Sequence, residues 1–199
     1  MAAQKMLRRK DNSPGVGLRA VLAAQAEGAS ATSTPIPSPP EDANKVKATC
    51  DSFTLESFTA ADAWELGHLL YARLLPFAAE KPTVISIATA HGPHVLFQAA
   101  VGSGTVPDND AWVRRKRNAV LRFGASSWFL HCKYAGHQER FRHRVGMSEE
   151  AAGEYAIHGG AVPIRVAGAE GIVAVVVVSG LQQHEDHGVI VDVINNNWE

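Results

Sequence analysis

The seven residues Ile172 to Val178, IVAVVVV, limit the architecture of this chain more than any other stretch. Side chains branched at Cβ are stiff in a helix and pack well on a pleated surface, so the run reads as a buried strand. It is far short of the roughly 20 apolar residues that span a bilayer, and no transmembrane helix is expected. A buried strand needs paired neighbours. The Gly-containing turn AGAEG joins it to an apolar segment from Ala156 to Val166, giving one hairpin. Thr83 to Ala88 and Val95 to Ala99, separated by the turn residues His91-Gly92-Pro93-His94, give a second.

Between the strands the apolar period changes to that of helices. Thr59 and Asp62 form the cap of a helix to about Leu75, with Ala63, Leu66, Leu69, Leu70 and Leu74 on one face. Asp108 to Asp110 open a helix to about Phe123, with Gly124 just past its end. Its stripe of Trp112, Val113, Ala119, Val120 and Phe123 places Arg114, Arg115, Lys116 and Arg117 on the opposite face. A third helix is expected from Ser126 or Ser127 to about Val145. A last one runs from about Gln183 to Ile194, with Ser179 and Gln182 at capping-box spacing. Hairpins separated by helices point to an α+β fold, a mainly antiparallel sheet flanked by helices.

The segment Ser30 to Pro40, SATSTPIPSPP, has too little apolar area to offset its ordering entropy. Residues 1–48 are therefore expected to be a disordered N-terminal arm and linker, with a transient helix at the Ala-rich stretch Leu18 to Glu27, residues 49–195 the folded domain, and residues 196–199 a short tail. At 199 residues the chain suits one core of ordinary size, about 100 to 150 residues. With 19 basic and 20 acidic side chains there is no net field to draw nucleic acid or an anionic membrane, so neither is expected as a partner. Two cysteines, Cys50 and Cys132, lie outside any CxxC spacing and indicate a reducing compartment. No apolar stretch of a secretory leader follows the basic residues Lys5 to Lys10. The expected location is cytoplasmic.

Several clusters carry candidate chemistry, each beside a plainer explanation. Arg114 to Arg117 suit phosphate binding or a solvated helix face. His131, His137 and His143 are six residues apart, which on a helix turns each about 120° from the last, so they make no shared metal site. In His158-Gly159-Gly160 the glycines indicate a bulge or the close approach of a ligand or another backbone. Glu185-Asp186-His187 offers acid–base groups, or acids placed by the helix dipole. At the C-terminus, Trp198 and Glu199 form a partner-binding tail or fold back on the domain.

Three ordered strings, PDNDAWVRRKRNAVLRFGASS (Pro107 to Ser127), HGGAVPIRV (His158 to Val166) and VSGLQQHEDHGVIVDVI (Val178 to Ile194), resemble the haem-degrading-domain family. With Phe53 to Gly67 and the first hairpin, the resemblance covers about residues 50–195, and it is nearest to a small branch found in bacteria and fungi. It implies a profilin-like α/β fold and assembly into a large homo-oligomer. For the fungal branch it implies a link to the factors that target tail-anchored membrane proteins. The leading expectation is thus a non-enzymatic oligomeric adaptor with no cofactor. The rival is a haem or small-molecule binding protein, with haem degradation as an open activity, its pocket between the strand of His158 and the helix of Arg115. The candidate ligand-binding set is Arg115, Lys116, His158, Gly159, Gly160, Arg165, Asp186 and His187.

Overall fold

The strand of five consecutive apolar residues is apolar on both faces because helices cover both faces of its sheet. The computed structural model describes residues 5–27, 33–92 and 94–199. The first residues of the arm (1–4), residues 28–32 at the start of the linker and Pro93 of the first turn lie outside them. Six strands, β1 (Met6–Leu7), β2 (Phe53–Leu55), β3 (Thr83–Thr89), β4 (Val95–Val101), β5 (Ala161–Val166) and β6 (Ala174–Ser179), form one sheet in the order β1-β2-β5-β6-β3-β4. The pairs β5–β6, β6–β3 and β3–β4 are antiparallel, as expected. β1–β2 and β2–β5 are parallel. These two strands are too short to show a period in sequence.

Every residue of β6 is buried. Val176 and Val178 enter a core with Leu66 and Leu70 of α3 (Ala60–Leu74) and Ile190 and Ile194 of α8 (Gln183–Asn197). Val175 and Val177 face Val113 and Val120 of α4 (Pro107–Phe123) on the other side. Burying each such side chain stabilises the fold by about 1.5–3 kcal/mol, which is why strand and helices are specified together. The helix starts follow local chemistry. Thr59 Oγ1 accepts from Asp62 N at 3.2 Å while Asp62 Oδ2 accepts from Thr59 N at 2.8 Å. Gly124 ends α4 in the left-handed conformation, at φ 66°. At α8 the capping differs from the expected box: Ser179 closes β6, and Gln182 N donates to Glu185 Oε2 at 3.0 Å.

The single helix expected to reach Val145 is two, α5 (Ser127–Lys133) and α6 (Gln138–Arg144). The chain turns between them at Ala135 and Gly136, both with positive φ, and Gly136 N donates to the His131 carbonyl. A short α7 (Glu149–Ala152) follows. Among the described residues no helix is long and apolar enough to cross a membrane.

The described part of residues 1–48 corrects the expectation of a disordered arm. Helix α1 (Val16–Glu27) lies on α3, where Gly15 N and Gly17 N donate to Glu65 Oε1 and Oε2 at 2.7 and 2.6 Å. Helix α2 (Ala43–Thr49) packs Val46 against Cys50 and Trp128. The proline-rich segment before α2 is held through its carbonyls as well as through Ile36, which packs against the main core, and the buried Pro39. Arg73 donates to Pro35 O at 3.0 Å, Trp128 Nε1 donates to Pro40 O at 2.8 Å, and Gly188 of α8 leaves room for Pro37 O. Composition shows how much apolar surface a segment owns, and is silent about carbonyls that side chains of the core can reach.

The C-terminal tail is likewise corrected. α8 runs on to Asn197, and Trp198 is 4% exposed in the main core. Arg8 and Glu199 exchange backbone hydrogen bonds at 2.9 Å in both directions, so the two termini lie side by side.

A candidate ligand cleft between two helix starts

The N-terminal ends of α4 and α8 meet at the C-terminal end of β6, and a cleft of about 380 Å³ opens there. Asp108, Asn109, Trp112 and Lys116 line it from α4. His158 comes from the segment before β5, Ser179 from the end of β6, Gly180 to Gln182 from the turn after it, and Gln183 and Asp186 from α8. Lys116 defines the floor. Its Nζ lies 2.8 Å from Asp186 Oδ2 and 3.2 Å from Val178 O. Asp186 Oδ1 in turn accepts from Leu181 N at 2.9 Å, which ties the turn to the ion pair. Burial pushes the Asp186 carboxyl up, and the Lys116 ammonium opposes that rise.

His158 stands edge-on to Trp112 with ring centres 4.9 Å apart, and its Nδ1 is buried without a hydrogen-bond partner among the described residues. Burial holds its imidazole below the ordinary value of 6.5, and the charge of Lys116 acts in the same direction, so the ring is neutral near pH 7. The Arg115 guanidinium covers Trp112 at 4.7 Å. Gln183 is oriented from both ends: its Oε1 accepts from Gly159 N at 3.4 Å and its Nε2 lies 3.3 Å from His131 Nε2.

The structure brings Lys116, His158 and Asp186 together in this cleft and sets Arg115 behind Trp112. Of the two explanations for Gly159 and Gly160, backbone approach holds. A Cβ on Gly159 would strike Gln183 O, and one on Gly160 would strike Val178 O and the Asp186 side chain. His187 sits beneath the cleft, fully buried and stacked over Trp128 at 6.3 Å. Arg165 belongs elsewhere, donating to Gly124 O at 3.1 Å. Trp198 and Glu199 lie at the paired termini. The four basic residues of α4 are not one solvated face: Lys116 is buried, and Arg117 reaches Ser86 Oγ at 2.7 Å. Among the described residues no group of three His, Cys, Asp or Glu side chains could hold a metal ion.

Sequence reasoning missed Asn109, Gln182 and Gln183, and read Trp112 as core. Their common signal is position: all lie at or within two turns of a helix start, next to residues that were singled out.

A mostly antiparallel sheet between helices, with a polar cleft where two helices begin, defines an α+β protein with a candidate ligand site. The chain belongs to the family described as haem degrading protein HbpS-like, whose pattern matches residues 58–195. A UPF0303 protein of Streptomyces avermitilis is 40% identical over 141 residues, 71% of this chain and 81% of that one. The UPF0303 protein YBR137W of Saccharomyces cerevisiae is 37% identical over 133 residues, 67% of this chain and 71% of its own. The crystal structure of Ybr137w matches with a TM-score of 0.64 at 34% identity, covering 71% of this chain and 78% of that one. That of Klebsiella pneumoniae protein ORFY, at 16% identity and a TM-score of 0.50, covers 72% and 94% and shows the fold alone.

Proposed function

We propose that this chain is a small-molecule-binding protein that holds its ligand in the cleft of Lys116, His158 and Asp186. The observation that carries this reading is convergence. Three titratable side chains from separate segments share one concavity, an arrangement typical of binding sites. Its volume falls at the small end of ligand pockets, which span about 300–1,000 Å³. The residue that a tail-borne adaptor would present, Trp198, is instead part of the core.

The family description names haem degradation. What speaks against haem here is the lining: a macrocycle needs a broad apolar slot beside an axial ligand. The only histidine of the cleft packs edge-on to Trp112, beside a buried ion pair and the polar side chains Asn109, Gln182 and Gln183. A smaller and more polar ligand suits these groups better.

The test is a thermal-shift screen of the full chain against small metabolites, run beside Asn109→Trp, which fills the mouth of the cleft. A ligand for the native fold raises Tm by mass action, and the blocked variant should lose that rise. Equal shifts in both proteins would contradict the assignment.

A second reading keeps the adaptor, with self-association and tail-anchored-protein targeting factors as partners. It rests on a groove lined by Leu18, Val21, Trp64, Tyr71, Leu96 and Phe97, beside the edge strand β4, with Trp64 49% exposed. Apolar surface at an open sheet edge suits contact with another chain. A monomeric mass in light scattering, unchanged by Trp64→Ser, would contradict self-association there.

A further inference from the structure

The balance of donors, acceptors and charges in the cleft points to a class of ligand, given the reading of that cleft as a binding site. Its charges largely cancel. Lys116 is paired with Asp186, and the second carboxylate of the lining, Asp108, accepts from Trp112 Nε1 at 3.0 Å through Oδ2. Two carboxylates face one ammonium, and the positive ends of α4 and α8 offset the extra negative charge, so no net field draws an anion, and a cation would compete with Lys116 for Asp186.

Hydrogen-bonding capacity remains, and it alternates in sign. An ammonium has three donors, and Lys116 spends two of them on Asp186 and Val178. Asn109 spends Oδ1 on Val106 N at 2.8 Å, which leaves its amide protons as donors. Next to it, Asp108 Oδ1 is an acceptor. Ser179 and Gln182 each carry both kinds of group, as does the neutral imidazole of His158. A hydroxyl also donates and accepts at once. A carboxylate or ionised phosphate oxygen only accepts, and would leave the Asp108 carboxylate facing further acceptors. Trp112 adds an aromatic surface suited to C–H groups.

We propose that the occupant is a neutral polyhydroxylated molecule, a polyol or monosaccharide, bound through adjacent donor and acceptor pairs at Asp108 with Asn109 and at Ser179 with Gln182. Trp112 packs against its carbon skeleton, and Lys116 donates its third proton to a hydroxyl oxygen at the floor. The ion pair serves as a fixed, neutral base for this network, and stays paired when the ligand is bound.

Isothermal titration calorimetry of the full chain with myo-inositol, sorbitol and D-glucose, and separately with succinate and inorganic phosphate, tests this. The expected result is saturable binding of at least one of the three polyhydroxylated probes, with no binding of either anion. Asp108→Ala and Asn109→Leu, both at partly or fully exposed positions, should stay folded, with a melting midpoint only a few degrees below that of the parent from the lost first-turn bonds, and weaken that binding about tenfold or more, the loss of one or two hydrogen bonds. Binding of succinate or phosphate, lost in the same two variants, would overturn the polyol class while leaving the cleft a ligand site. Absence of heat with all three polyhydroxylated probes would overturn it as well.

Discussion

Lys116 Nζ lies 2.8 Å from Asp186 Oδ2, with both side chains 3% exposed, so α4 and α8 are joined across the end of the interior strand β6 by one buried ion pair. A single replacement strands an uncompensated charge, which costs about 3–5 kcal/mol. Lys116→Met and Asp186→Leu should each lower stability by that amount in urea unfolding. The double variant should lose less than either one alone. Additive losses would mean that the two groups do not depend on each other.

The termini hold one another. Lys10 Nζ donates to the Asn195 and Asn196 carbonyls at 3.2 and 2.9 Å, capping the end of α8, and Trp198 fills the core between them. Trp198→Ala should lower stability by about 3–5 kcal/mol. Lys10→Ala should lose well under half as much, since an exposed cation at a helix end contributes about 0.3–1 kcal/mol. A Trp198→Ala protein with an unchanged urea midpoint would contradict this packing.

These two places also show where sequence stops being informative. The capping residues Thr59 and Asp62, the first hairpin, Gly124 and the run through Val178 are local signals, and each forms close to where it was read. Lys116 sits 70 residues from Asp186, and Arg8 pairs with Glu199 at the far end of the chain. No periodicity reports such pairs, and a lysine in a run of four basic residues reads as surface by default. β1 and β2, with two and three residues, are shorter than any period that would identify them. Of the candidate site, His158, Lys116 and Asp186 were legible as residues. Their meeting in one cleft was a matter of topology.

His187 sets a pH dependence. It is fully buried, among the described residues its ring nitrogens make no well-formed hydrogen bond, and burial pushes its imidazole from 6.5 down to about 3, with a weak contact to the Cys50 backbone opposing the fall and Lys116 adding to it. The unfolded chain takes up this proton below about pH 6.5, whereas the folded chain does so only near pH 3. The stability that His187 contributes is therefore complete above pH 6.5 and is lost as pH falls towards 3. Between pH 7 and 5 the loss should be about 2 kcal/mol from this residue. Burial lowers His131 and His158 as well, which steepens the slope. Urea unfolding at both pH values should show the fall reduced by about one proton's share in His187→Phe. An equal slope in parent and variant would contradict the burial of a neutral imidazole.

The cleft itself is tested most directly by nuclear magnetic resonance of ¹⁵N-labelled full chain titrated with a cocktail of polyols, amides and small acids. Saturable shifts should appear at the Trp112 indole N–H, the His158 ring and the Gln182 and Gln183 side-chain amides, while the Trp198 and Trp64 indoles stay still. Shifts confined to Trp64 and His68 in the groove of α1, α3 and β4, with Trp112 and His158 unmoved, would contradict a ligand site at Lys116, His158 and Asp186.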